Sequence, residues 1–237
     1  MRLILASRSP RRQEALAALG LDFEIVVSRA EESLPPQPDP TDPVPLAAAK
    51  AQDIAAHQPD ATVLAGDTIV VVDGQALGKP AGPPEARAML RLLRGKEHVV
   101  RTGLALAHRG RLATAEVACP LLMRAYDETE IERYVASGEP LDCAGAYDVH
   151  RQGGALVARV AGCFSAVVGL PIAETARLLA GAGIRASHDP AVVCARLYGR
   201  ACPAARQETA MACHPNPNGS GLKPESLGPY GHDAASV

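Results

Sequence analysis

The sequence predicts an α/β protein with a mixed sheet flanked by helices, and three observations carry that prediction. Short apolar stretches rich in β-branched residues alternate with segments that repeat Leu and Ala at helical spacing. The alternation lacks a uniform strand–helix–strand beat, which argues against a purely parallel sheet. Two apolar runs, residues 99–107 and 112–123, also flank Arg109-Gly110 in the manner of a hairpin.

Each element has a local reason. Residues 2–6 are a short apolar strand, and residues 10–19 form a helix that Gly20 stops. Ser9 suits its N-cap and Pro10 its first turn. A second strand, residues 22–27, leads into an acidic, Pro-rich loop, after which residues 45–56 read as a helix. Residues 62–72 are too β-branched for a helix, and Gly66-Asp67-Thr68 inside them suggests a bulge or bend. Residues 84–94 are helical with Gly95 as the stop. Asp127-Glu128-Thr129-Glu130 is a capping box opening a helix that ends at Gly138. Residues 154–160 are a further strand, and residues 171–179 a closing helix. Near residue 188 the composition shifts to recurrent Pro and Gly. Residues 1–187 therefore read as the folded domain and residues 188–237 as a weakly ordered tail with room for a short helix at 192–197.

Composition narrows the function classes. The chain has 237 residues, 47% of them apolar, with 24 basic against 26 acidic side chains and a formal charge of −2. A core is affordable at this length, whereas wrapping a nucleic acid by bulk positive charge is not on offer. With two Phe, five Tyr and no Trp, few rings are present to stack exposed bases. Six cysteines lack any C-x-x-C pair and no secretory apolar region opens the chain, so reduced thiols in the cytoplasm are expected. No apolar run is long enough to span a membrane. Cys213-His214 has no partner at zinc-ligand spacing.

Several residues carry candidate chemistry. Ser7-Arg8-Ser9-Pro10-Arg11-Arg12 lies between a strand and a helix N-terminus, where free N–H groups and the helix dipole favour an anion. Arginines in a first turn oppose that dipole; they either bracket a polyanion with forked contacts or are simply solvated. Asp67, inside an apolar strand, is either a catalytic carboxylate, a metal ligand or both, or else a strand-end acceptor of backbone hydrogen bonds. Gly78-Lys79-Pro80 imitates part of a P-loop but has the wrong spacing and Pro80 in place of a hydroxyl, which leaves Lys79 as a single loop cation. Lys50 stands alone on an Ala-rich helix, a position usually solvated. Glu31 and Glu32 either offer a carboxylate to a hard cation or form a charged loop. Residues 137–147 are a long loop of restricted freedom, followed by His150, which either bonds a base, buffers a proton or is polar surface.

The order and wording of these segments resemble the Maf family of nucleoside triphosphate pyrophosphatases, over about residues 3–180. The resemblance rests on Leu5-Ala6-Ser7-Arg8-Ser9-Pro10-Arg11-Arg12, Ala65-Gly66-Asp67-Thr68 and Gly78-Lys79-Pro80. Ser137-Gly138-Glu139-Pro140 through Ala144-Gly145-Ala146-Tyr147, and Val168-Gly169-Leu170-Pro171, complete it in sequence. It implies an inosine-triphosphatase-like fold with two lobes around a cleft, commonly a homodimer. It also implies hydrolysis between the α and β phosphates of a nucleoside triphosphate with Mg or Mn. By that carry-over Asp67 is the base that activates water and Glu32 with Asp67 holds the metal, while Ser7, Arg12, Lys50 and Lys79 grip phosphates. Arg11 and Thr68 resemble the branch that prefers dTTP and UTP. His150 stands where that branch has Gln, within Tyr147-Asp148-Val149-His150-Arg151, and Cys143 stands where it has Lys. The expected substrate is dTTP or UTP. The alternatives are 7-methyl-GTP, a broad specificity, or nucleotide binding without turnover in a regulator of division.

Overall fold

A computed structural model describes residues 2–29 and 39–200 of the chain. The strands are β1 (Leu3–Leu5), β2 (Glu24–Ile25), β3 (Thr62–Val72), β4 (Gln75–Leu77), β5 (Glu97–His108), β6 (Arg111–Met123) and β7 (Val157–Val160). The helices are α1 (Pro10–Ala18), α2 (Val44–His57), α3 (Pro83–Leu93), α4 (Glu128–Ala136), α5 (Phe164–Val168), α6 (Ile172–Gly181) and α7 (Pro190–Tyr198). One seven-stranded sheet runs in the order β2-β1-β3-β5-β6-β7, with β4 paired to β3 off this path. The first pairings, β1 with β2 and with β3, are parallel, and those from β3 through β7 antiparallel, so the sheet is mixed as expected. No described helix is long and apolar enough to cross a membrane.

Side-chain alternation along β3 and β5 divides the core. Val63 and Ala65 point to one face and pack with Ala105, Ala107 and the Ala47, Ala51, Ile54 stripe of α2. The opposite face carries two clusters. Leu64, Leu104 and Leu106 pack against Leu16 and Leu19 beside α1, while Val70, Val72 and Val100 pack with α3 and α4. Between these two clusters on the same face stand Thr68 and Thr102, directly paired across β3 and β5. A polar seam thus separates two apolar halves.

Local signals explain most boundaries. The capping box at Asp127 forms in full, its side chain accepting from Glu130 N while Glu130 accepts from Asp127 N. Ser9 occupies the α1 N-cap but its side chain caps nothing; instead its N–H donates to Ser7 Oγ at 3.2 Å. The bend expected at Gly66-Asp67-Thr68 is absent, because β3 pairs with β5 without a shift from Val63 to Val71. A bend is not needed: Asp67 faces Gly103 across the ladder and finds its compensation in α2. The short helix expected in the tail spans Pro190–Tyr198, is capped by Asp189, and buries Val193 and Cys194 beside Leu16 and Leu19. The rest of the tail from residue 201, with Cys213-His214, lies outside the described residues.

Candidate active site

The site is assembled by the two faces of β3. Asp67 continues the Val63, Ala65 face, and Lys50 lies on the inward stripe of α2 between Ala47 and Ala51. They meet: Lys50 Nζ donates to Asp67 Oδ1 at 3.0 Å, with side chains only 11% and 15% exposed. Neither charge is tolerable alone at that depth, and the pairing offsets their mutual desolvation. The solvated reading of Lys50 therefore gives way to a buried ion pair.

On the other face Thr68 meets Arg12 of α1. Arg12 donates from Nε to Gly169 O at 2.8 Å, from Nη1 to Ser7 Oγ at 3.2 Å and from Nη2 to Thr68 Oγ1 at 3.0 Å. Gly66 leaves the space, since a Cβ there would lie 3.4 Å from Arg12 Nε. Thr68 Oγ1 lies 2.9 Å from Thr102 Oγ1, and Thr102 donates to Ala166 O at 2.8 Å. Each hydroxyl has one proton, so the direction is fixed: Thr68 donates to Thr102 and accepts from Arg12.

The loop around residues 139–152, wound into short 3-10 turns, surrounds Arg11. Arg11 Nη1 donates to Asp148 Oδ2 at 3.1 Å and Nη2 to Asp142 O at 3.0 Å, with Cys143 Sγ 3.7 Å from Nη1. The Asp148 side chain is 3% exposed, a buried carboxylate matched to a fixed cation. Burial opposes the charge on Arg11, but Cys143, Asp148 and Asp142 more than offset it and hold its pKa above the ordinary value. Burial pushes the Cys143 thiol up to about 11, only partly countered by Arg11, so this cysteine is no thiolate nucleophile at neutral pH. Exposed Lys79 pairs with the equally exposed Asp142.

Ser7, Arg11, Arg12, Lys50, Asp67, Thr68 and Lys79 all line one cavity of about 690 Å³. One expected residue among those described is not brought there. The His150 ring lies 5.0 Å from the Tyr198 ring and 6.4 Å from the Phe164 ring, edge-on to both, and is not among the lining residues. Glu32 lies outside the described residues. Sequence reading missed Asp148, Asp142 and Thr102. An Asp directly after the buried Tyr147, in a loop already singled out, was the signal for the first; Thr102 gave none. Among the described residues no three His, Cys, Asp or Glu side chains converge as a metal cage. Of the three carboxylates that line the cavity, Asp142 and Asp148 are engaged by Lys79 and Arg11, and Asp67 suits a hard divalent ion that completes its shell with substrate phosphate oxygens and water.

A solved structure of a HAM1 protein from Coxiella burnetii aligns with 76% of this chain and 99% of its own, at 16% identity and a TM-score of 0.42. The dTTP/UTP pyrophosphatase of Syntrophus aciditrophicus is 44% identical over 185 residues, which are 77% of this chain and 90% of that protein. That of Moorella thermoacetica is 46% identical over 186 residues, 77% and 96% of the two chains. A family model described as Maf-like protein matches residues 2–182, the span that holds every lining residue of the cavity. The expectation drawn from the ordered motifs is met over the whole length they occupy, and the chain belongs to the Maf-like protein family.

Proposed function

We propose that this protein is a nucleoside triphosphate pyrophosphatase that takes dTTP and UTP, hydrolysing the α–β anhydride to the nucleoside monophosphate and pyrophosphate. The observation that carries the reading is the Lys50–Asp67 pair in a cavity rimmed by Arg8, Arg12 and Lys79. A polyanion fits those cations, and a carboxylate among them has work to do beyond binding. Relatives at 44% and 46% identity that are dTTP/UTP pyrophosphatases support the substrate class.

In this reading Arg12, Lys79, Lys50 and Ser7 hold the phosphates, and Lys79 leaves Asp142 to do so. Asp67 accepts the proton of the attacking water as the new P–O bond forms and the bridging oxygen departs with pyrophosphate. Glu32 and Asp67 would hold a divalent Mg or Mn ion, which when bound neutralises phosphate oxygens and polarises water. Arg11, braced by Asp148, addresses the nucleoside end, with Thr68 acting through Arg12 and His150 through its loop. A cytoplasmic homodimer completes the proposal; Ile25, 49% exposed on the edge strand β2, supports a second chain there.

The test is pyrophosphate release from dTTP, UTP, CTP, 7-methyl-GTP and ITP with Mg or Mn. We expect dTTP and UTP to lead, and Asp67→Asn to lower kcat by at least about 100-fold while nucleotide still binds, the scale of a lost general base. Nucleotide binding with no turnover of any triphosphate defeats the proposal in favour of a non-catalytic regulator.

A further inference from the structure

Helix α7 begins at Pro190, beyond residue 182 where the family match ends, yet it is fastened to both ends of the Arg11 apparatus. At one end it grips the C-terminus of α1, whose first turn carries Arg11. The last carbonyls of a helix lack intrahelical partners. Here Ala18 O accepts from His188 Nδ1 at 3.0 Å and Arg196 Nη2 at 3.2 Å, and Leu19 O accepts from the N–H groups of Ser187 and His188. Ser187 Oγ donates to Gly20 O at 3.0 Å. Gly20, at φ +72°, permits this approach, since a Cβ there would stand 2.9 Å from the Ser187 Cβ.

At the other end Tyr198 meets the loop that clamps Arg11. Its ring is 5.0 Å from that of His150, nearly perpendicular, and 5.3 Å from that of Phe164. The backbone N–H of His150 donates to Asp148 Oδ1 at 3.0 Å, and the other oxygen of Asp148 accepts from Arg11. An unbroken line of contacts thus runs from Tyr198 through His150 and Asp148 to a guanidinium in the cavity. The two attachments are independent: one fixes the helix that delivers Arg11, the other the carboxylate that aims it.

We propose that α7 is a brace that sets the position of Arg11, with Tyr198 as its positioning residue acting through His150 and Asp148. This rests on the reading of the cavity as a nucleotide site with Arg11 at the nucleoside end. A contact to a part of the substrate that does not change during reaction contributes uniform binding, so its loss appears in KM and leaves kcat alone. An aromatic edge contact is worth a modest factor, and removing it is expected to raise KM about 3- to 10-fold.

The experiment measures kcat and KM for the preferred triphosphate in the full chain and in Tyr198→Ala, Tyr198→Phe, His150→Ala and the double alanine variant. Competitive inhibition by inorganic tripolyphosphate, which has no nucleoside, serves as the second readout. Expected are a raised KM with kcat within about twofold for both single alanine variants, rescue in Tyr198→Phe, and an unchanged tripolyphosphate Ki. The double variant should be no worse than the worse single, because residues in one line of contact are not additive. If Tyr198→Ala does not fold, His150→Ala, whose side chain is exposed, carries the comparison. An unchanged KM, additive effects in the double variant, or an equal loss of tripolyphosphate binding overturns the brace. Absence of turnover in the unaltered protein instead overturns the proposed function, so the two failures are distinct.

Discussion

At the scale of single residues, Asp67, Thr68 and Asp148 each find a partner from a distant part of the chain. Asp67 was legible as an anomaly, a charge within an apolar strand, but its partner Lys50 was not. Nothing on an Ala-rich helix says whether its one lysine turns inward; only the packing of α2 on β3 decides it. The same holds for Thr102, fully buried, whose hydroxyl accepts from Thr68 and donates to Ala166 O. Thr102→Val removes that acceptor and leaves Thr68 with an unpaired donor, while Ala166 O keeps only its bond from the Gly169 N–H. Orphaning buried groups costs about 1–3 kcal/mol. A urea midpoint shifted by that amount is expected, together with a KM raised several-fold because Arg12 loses its fixed neighbour, while Thr102→Ser restores both. Should Thr102→Val keep the wild-type KM, the seam is only structural.

Elements place these residues to within ångströms, and one tight fit is α2 over β5. Gly103, directly opposite Asp67, has no side chain, and a Cβ there would lie 2.8 Å from Pro43 C and Val44 N at the start of α2. Both atoms are backbone, so the helix itself must move to admit a methyl group. Gly103→Ala should cost about 1–3 kcal/mol, the range for overpacking. It should also lower kcat/KM, since α2 carries Lys50 and a shift of the helix lengthens the 3.0 Å contact to Asp67. Thermal melting and steady-state kinetics on one preparation measure both. The strands and helices themselves were largely readable, down to the Asp127 capping box, because caps and periodicity are local. β4 was overlooked although Asp73-Gly74, both at positive φ, is a strong two-residue hairpin signal. The bend expected in β3 is absent for the opposite reason: Gly66 packs beside the Arg12 side chain within an unbroken ladder, a tertiary contact that does not show in the strand's own sequence.

Across the whole molecule, the two apolar halves on one sheet face are linked by a loop that starts in one core and ends in the cavity. Tyr147 is buried in the cluster of α3 and α4, lines the cavity, and precedes the Asp148 that holds Arg11. Its hydroxyl lies 2.7 Å from Nε2 of His98, a β5 residue 3% exposed. Burial pulls the His98 pKa down from 6.5 to about 4, an effect only slightly opposed by a backbone hydrogen bond with Lys96. Between those values the unfolded chain binds a proton that the folded protein refuses. The stability associated with neutral His98 is therefore complete above pH 6.5 and is lost as pH falls toward 4, at about 1.4 kcal/mol per pH unit and about 3 kcal/mol in all. Surface carboxylates whose pKa values are lowered by arginine hydrogen bonds, such as Glu128 and Glu132, add their own loss, but only below their ordinary value of 4.5. Urea unfolding at pH 7, 6 and 5, compared with His98→Gln, separates the two. The wild-type curve should fall by about 1–2 kcal/mol more than that of the variant between pH 6.5 and 5, where the carboxylates are still silent, and parallel curves would remove His98 from the account. Because folded His98 takes no proton until about pH 4, its contact with Tyr147 at the root of the substrate loop persists over this pH interval, so the lost stability should come with no change in KM that His98→Gln removes.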